Sequence, residues 1–253
     1  MLENINDILP FVAIGFAAQL VDGALGMAFG VISTTLLVGL AGVHPAQASA
    51  SVHLAEVFTT GASGTSHALL KNVDWRLFGR LAVPGVIGGA IGAYALSSID
   101  AAAARPFVMA YLASIGLLML YRAWRFPPKK FDDPRLVAPI ATVGGFLDAA
   151  GGGGWGPVVT SNLLIQGSEP RTTIGTVNAS EFVLTLTISI TFIATIGFDA
   201  FTKATVGLLL GGVIAAPFGA VMVSAISPRW LLLLVGTVIL LTSAYAISQA
   251  FSS

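Results

Sequence analysis

Apolar stretches long enough to cross a bilayer take up most of this chain, and no other feature constrains its fold as much. A membrane helix needs about 20 mostly apolar residues. Segments of that kind fall at 9–40, 46–70, 80–98, 104–122, 136–166, 172–197, 204–226 and 229–249. Composition agrees, with 55% of the 253 residues hydrophobic and 9% charged, where soluble domains carry about 25% charged residues. The chain reads as an all-α polytopic membrane protein, with the lipid bilayer as its first partner. Lys+Arg 12 against Asp+Glu 12 leaves no net charge, which argues against a nucleic-acid partner. Without cysteine there is no disulfide, thiolate metal site or cysteine nucleophile, and no cofactor is implied. Glu3 and Asp7 precede the first apolar stretch with no Lys or Arg beside them. A signal peptide needs a basic n-region, so that stretch is expected to stay in the mature protein.

Two segments do not fit. As straight helices, 9–40 and 136–166 would run to about 45–48 Å against a hydrocarbon core of about 30 Å. Both are interrupted by glycine, as DGALGMAFG at 22–30 and DAAGGGGWGP at 148–157. Glycine and proline disfavour helix interiors, so each segment is expected to form two half-helices around a non-helical centre.

The same two segments open an internal repeat. Asp22, Gly26, Phe29, Gly30 and Thr34 match Asp148, Gly152, Trp155, Gly156 and Thr160. Gly42, Pro45, Ser51, His53, Glu56 and Thr60 match Gly167, Pro170, Thr176, Asn178, Glu181 and Thr185; Gly85, Gly92, Ala93 and Ser97 match Gly212, Gly219, Ala220 and Ser224. The order is kept at a near-constant offset. Residues 1–125 therefore read as a first repeat, 126–135 as a linker and 136–253 as a second repeat, each with a broken segment and three membrane helices. Lys71, Arg76 and Arg80 ahead of the third segment share a side with Arg122, Arg125, Lys129, Lys130 and Arg135, and the positive-inside rule makes that side cytoplasmic. If the broken segments cross, Arg171 and Arg229 face outward. If they turn back as re-entrant hairpins, the repeats are inverted, and the charge count favours this second arrangement.

Four carboxylates lie inside apolar segments: Asp22, Glu56, Asp148 and Glu181. An acidic residue at the bilayer centre costs about 2.5–3.5 kcal/mol, so four facing lipid would cost on the order of 10–14 kcal/mol. They are expected to face a polar interior, to be protonated, or to accept hydrogen bonds from exposed backbone N–H groups. Ser49, His53, Glu56, Thr60 and Ser63 form one helical stripe, echoed by Asn178, Glu181 and Thr185. For the Ser and Thr residues, bonding between helices accounts for the pattern; the repeated Glu56 and Glu181 point to function. Asp22 and Asp148 either take part in ion or proton coupling or cap the broken backbone. His53 competes for a coupling role, because an imidazole titrates near neutrality. Gly85, Gly88, Gly89, Gly92, Gly207, Gly211, Gly212 and Gly219 have the small-residue spacing of close helix packing. The glycines at the breaks, Gly23, Gly26 and Gly30 with Gly151, Gly152, Gly153 and Gly154, are expected to expose backbone N–H groups that attract anions. With every Lys and Arg at a segment end or in a loop, an anion would depend on these groups and on Thr34, Thr35, Thr160 and Ser161.

At AAQLVDGALGMAFG, HPAQASASVHLAEVFTTGASGTSH, GGFLDAAGGGGWGP and EPRTTIGTVNASEF, the chain resembles the TauE/SafE sulfite exporter family over nearly its whole length. The resemblance implies a multi-pass protein of a bacterial inner membrane that moves a small sulfur-containing or carboxylate anion. The expected substrate site comprises Gly26, Gly30, Thr34, Thr35, Ser51, His53, Gly152, Gly153, Trp155, Gly156, Thr160, Ser161, Thr176 and Asn178. Glu56, Glu181, Asp22 and Asp148 are the candidates for proton coupling. Such a protein is compatible with a homo-oligomer. Proton-coupled secondary transport leads; a passive anion channel is the alternative. An intramembrane enzyme would have to rely on Ser63 and His67, which lack any accompanying motif.

Overall fold

The computed structural model describes residues 7–25, 27–124, 134–200, 202–225 and 228–252. Among them there are helices and no strand. The first long segment is α1 (Leu9–Leu25) followed by α2 (Phe29–Gly39). Three helices follow: α3 (Pro45–Leu69), α4 (Trp75–Ser97) and α5 (Ala101–Trp124). The second long segment is α6 (Val137–Gly151), a π-helical turn (Trp155–Thr160) and α7 (Ser161–Ile165). It leads into α8 (Pro170–Ile196), a short 3-10 turn (Gly197–Ala200), α9 (Lys203–Ala225) and α10 (Pro228–Ser252). Gly26 and most of the 126–135 linker lie outside the described residues.

Both long segments are thus interrupted where glycine predicts it. At 17 and 11 residues, α1 and α2 reach about 26 and 17 Å, and neither alone spans the core. Three helices among the described residues, over Trp75–Ser97, Ala101–Trp124 and Arg171–Ile196, are long and apolar enough to cross a membrane. On α4, Val83, Ile87, Ile91 and Tyr94 make an exposed apolar stripe, the face a helix turns to lipid.

One sequence expectation is corrected. Arg76 and Arg80 lie within α4, not ahead of it, because Asp74 starts the helix by accepting N–H bonds from Arg76 (2.8 Å) and Leu77 (3.1 Å). A polar cap lies outside an apolar window, so such a window starts too late.

Helix α1 packs on α9 and α6 on α4, while α3 pairs with α8 and α5 with α10. Small residues bring backbones into contact at the first two interfaces. A Cβ on Gly88 would run into the Thr142 carbonyl, and one on Gly211 into that of Val12. Lipid supplies no hydrophobic drive between helices, so close packing of this sort holds them.

Candidate functional site

The site grows from the two interruptions. In the first, Asp22 Oδ1 accepts N–H bonds from Ala28 (2.7 Å) and Phe29 (3.1 Å). In the second, Asp148 Oδ1 accepts from Gly154 (2.6 Å) and Trp155 (2.9 Å). Each carboxylate thus takes the N–H groups six and seven residues ahead, satisfying donors that hydrocarbon cannot. This is the capping arrangement, and both halves have it.

The second interruption has further ties. Gly152 (φ +70°) and Gly153 (φ +147°) adopt backbone conformations that side chains disfavour. The N–H groups of both return to the Asp148 carbonyl, at 2.9 Å for Gly153. The N–H groups expected to be free for an anion at 152–155 are therefore bonded to Asp148. Asp148 Oδ2 lies 3.1 Å from His53 Nε2, both side chains being buried. His53 Nδ1 lies 2.7 Å from the Ser49 carbonyl oxygen, which can only accept, so Nδ1 carries a proton.

The two interruptions touch. The Thr34 hydroxyl donates to the Gly152 carbonyl, a Cβ on Gly153 would lie 2.5 Å from the Gly30 carbonyl carbon, and one on Gly156 2.6 Å from Met27 Cβ. Between them is a constricted cavity of about 10 Å³, lined by Asp22, Glu56, Asp148 and Glu181 with residues 27–31, Gly153, Gly154, Gly156 and Pro157. That is room for about one water. Glu56 is buried; Oε1 lies 3.0 Å from the position of a Cβ on Gly30, and Oε2 has no hydrogen-bond partner.

The remaining expected site residues fall in different places. Trp155 is fully buried, its ring against Gly85 and its Nε1 3.4 Å from the Val177 carbonyl. Thr35 bonds back to Val31 (2.6 Å), while the buried Thr160 and Ser161 hydroxyls have no partner. Asn178 bridges helices, accepting from Ser63 (3.1 Å). Ser51 and Thr176 do not line the cavity. Ser51 bonds Thr202 (3.0 Å) and Thr205 (2.9 Å) beside the start of α9. Thr176 accepts the Asp74 N–H (2.9 Å) beside the start of α4. These repeat partners tie corresponding helix ends.

Three residues escaped the sequence reading. Tyr111 donates its hydroxyl to the Gly153 carbonyl (2.9 Å), its ring filling space left by Gly151 and Gly154. Arg105 donates to the Val38 carbonyl at the end of α2 (2.8 Å). Arg122 reaches the first interruption, with Nη1 3.8 Å from Met27 Sδ. Both arginines occupy the ends of an apolar helix, where composition cannot tell a side chain reaching out to water from one folding inward.

The family described as sulfite exporter TauE/SafE matches residues 11–246. The probable membrane transporter protein YtnM of Bacillus subtilis (strain 168) is 42% identical over 245 residues, covering 94% of this chain and 81% of that protein. No solved structure matches the chain.

Proposed function

The chain belongs to the TauE/SafE sulfite exporter family, and from that premise we propose that it is a proton-coupled secondary transporter of a bacterial inner membrane, moving a small sulfur-containing or organic anion such as sulfite or an organosulfonate. Family and relative both indicate a membrane transporter rather than an enzyme. The observation that carries the finer reading is the meeting of two interrupted helices at one cavity with four carboxylates.

The carboxylates divide by partner. Asp22 and Asp148 are engaged by backbone N–H groups, so we assign them to holding the interruptions open. Glu56 has a buried oxygen without a partner, and Glu181 lines the same cavity; these two are the proton-exchanging pair. An anion entering beside ionised glutamates is repelled, and a proton taken up by either removes the repulsion. The Ala28 and Phe29 N–H groups at the start of α2 are taken by Asp22, which leaves the buried Thr160 and Ser161 hydroxyls, without a partner among the described residues, as donors for the anion.

The helix pairings support a duplicated architecture, and the charge count along the sequence is what favours its inverted form. α1 on α9 and α6 on α4 exchange places if the halves are related by a two-fold axis, while α3–α8 and α5–α10 are pairs between counterparts.

The test is transport by the purified protein in liposomes. Flux of sulfite or a short alkanesulfonate should saturate with concentration and follow an imposed pH gradient. A flux that rises linearly and ignores the gradient would make it a channel instead.

A further inference from the structure

We propose that Arg122 receives the substrate anion at the mouth of the first interruption, where its guanidinium touches Met27, a residue that lines the central cavity. This rests on the transporter reading and adds to it a charge-bearing binding residue.

A guanidinium carries five N–H donors, accepts nothing and stays protonated. Half-buried against the protein, Arg122 has its Nε out of solvent with no hydrogen-bond partner, and Nη1 rests on a thioether, a weak acceptor. No carboxylate among the described residues pairs with it: the ion pairs there are His53–Asp148 and Lys203–Asp7. Arg105, on the same helix, shares the buried Nε without a partner but donates through Nη2 to the Val38 carbonyl. Removing a cation from water without an anion is unfavourable. The arrangement is resolved by an acceptor that comes and goes.

The neighbours say where that acceptor goes next. Met27 lines the cavity and is held against the Gly156 backbone. Beyond it lie Gly30 and Glu56. Methionine is unbranched and adapts its shape readily, so it can yield to a passing group. The planar fork of arginine matches two oxygens of one group, which selects a sulfite, sulfonate or carboxylate over a spherical halide.

The test is calorimetric titration of the nanodisc-embedded protein with sulfite and with methanesulfonate. Arg122→Gln should weaken binding at least 10-fold. Arg122→Lys, keeping the charge without the fork, should fall between. Arg80→Gln, at an exposed arginine bonded to the Pro134 carbonyl, should bind as the parent does. Equal binding by the parent and Arg122→Gln would overturn the assignment of Arg122 and leave the transporter reading standing. Absence of binding and transport in the parent would overturn both. Should Arg122→Gln fail to fold, the parent decides: its Arg122 guanidinium resonance, assigned by its loss in Arg122→Lys, should shift on adding either anion, and an unmoved resonance would overturn the proposal.

Discussion

The two interruptions solve one backbone problem alike and then diverge. In each, an aspartate accepts the N–H groups six and seven residues ahead, at 2.7 and 3.1 Å in the first and 2.6 and 2.9 Å in the second. Among the described residues, the second is also held by His53 and Tyr111, and Thr34 of α2 ties the two together. The first has Met27 between the cavity and Arg122. The shared part is what irregular backbone at membrane depth demands of any sequence. Among the described residues, the unshared part gives the second interruption the larger set of ties.

The largest expected effect compares the aspartates directly. Asp148→Ala strands two N–H donors and His53 together, so it should cost about 3–5 kcal/mol. Asp22→Ala strands two N–H donors alone and should cost about 1–3 kcal/mol. Thermal unfolding in one detergent ranks them, and equal losses would erase the contrast. His53→Asn gives the first repeat the residue of the second; it removes the bond to Asp148 and should cost about 1–3 kcal/mol. Tyr111→Phe removes one hydrogen bond to Gly153 and should cost about 0.5–1.5 kcal/mol by the same measurement.

The smallest effect concerns helix starts. His44 caps α3, whereas its counterpart Glu169 caps α8 by accepting from Arg171 (3.1 Å) and Thr172 (2.6 Å). Hydrogen bonds from Thr172 hold the Glu169 carboxyl below its usual range. A lowered folded-state pKa means stability that is present at neutral pH and lost as pH falls through that pKa. Glu169→Ala should therefore cost about 0.5–1 kcal/mol at pH 7, less for the solvent around it, and nothing under acid. A difference unchanged by pH would assign the cap no charge contribution.

Much of this was legible because composition and geometry speak with one voice. A glycine run long enough to end a helix, with an aspartate ahead of it, announces both the interruption and its cap. The stripe containing His53 and Glu56 announces a helix face turned inward. What stayed hidden depends on which neighbour each face meets. Ser51 and Thr176 have the spacing of site residues yet bond to the starts of α9 and α4, because spacing fixes a direction and not a depth. The N–H groups of 152–155 look available until Asp148 folds back onto them. Tyr111 and Arg122 belong to α5, whose placement beside the interruptions follows from tertiary packing alone.

Proton exchange at the paired glutamates is the central claim, and anion-driven proton movement in liposomes tests it most directly. With an interior pH dye, an anion gradient should move protons in the parent protein. Glu56→Gln and Glu181→Gln keep shape and hydrogen-bonding capacity but cannot titrate. At least one of them should still bind the anion while moving no protons with it. If both variants move anion and protons together as the parent does, the glutamates are structural and the account of coupling is wrong.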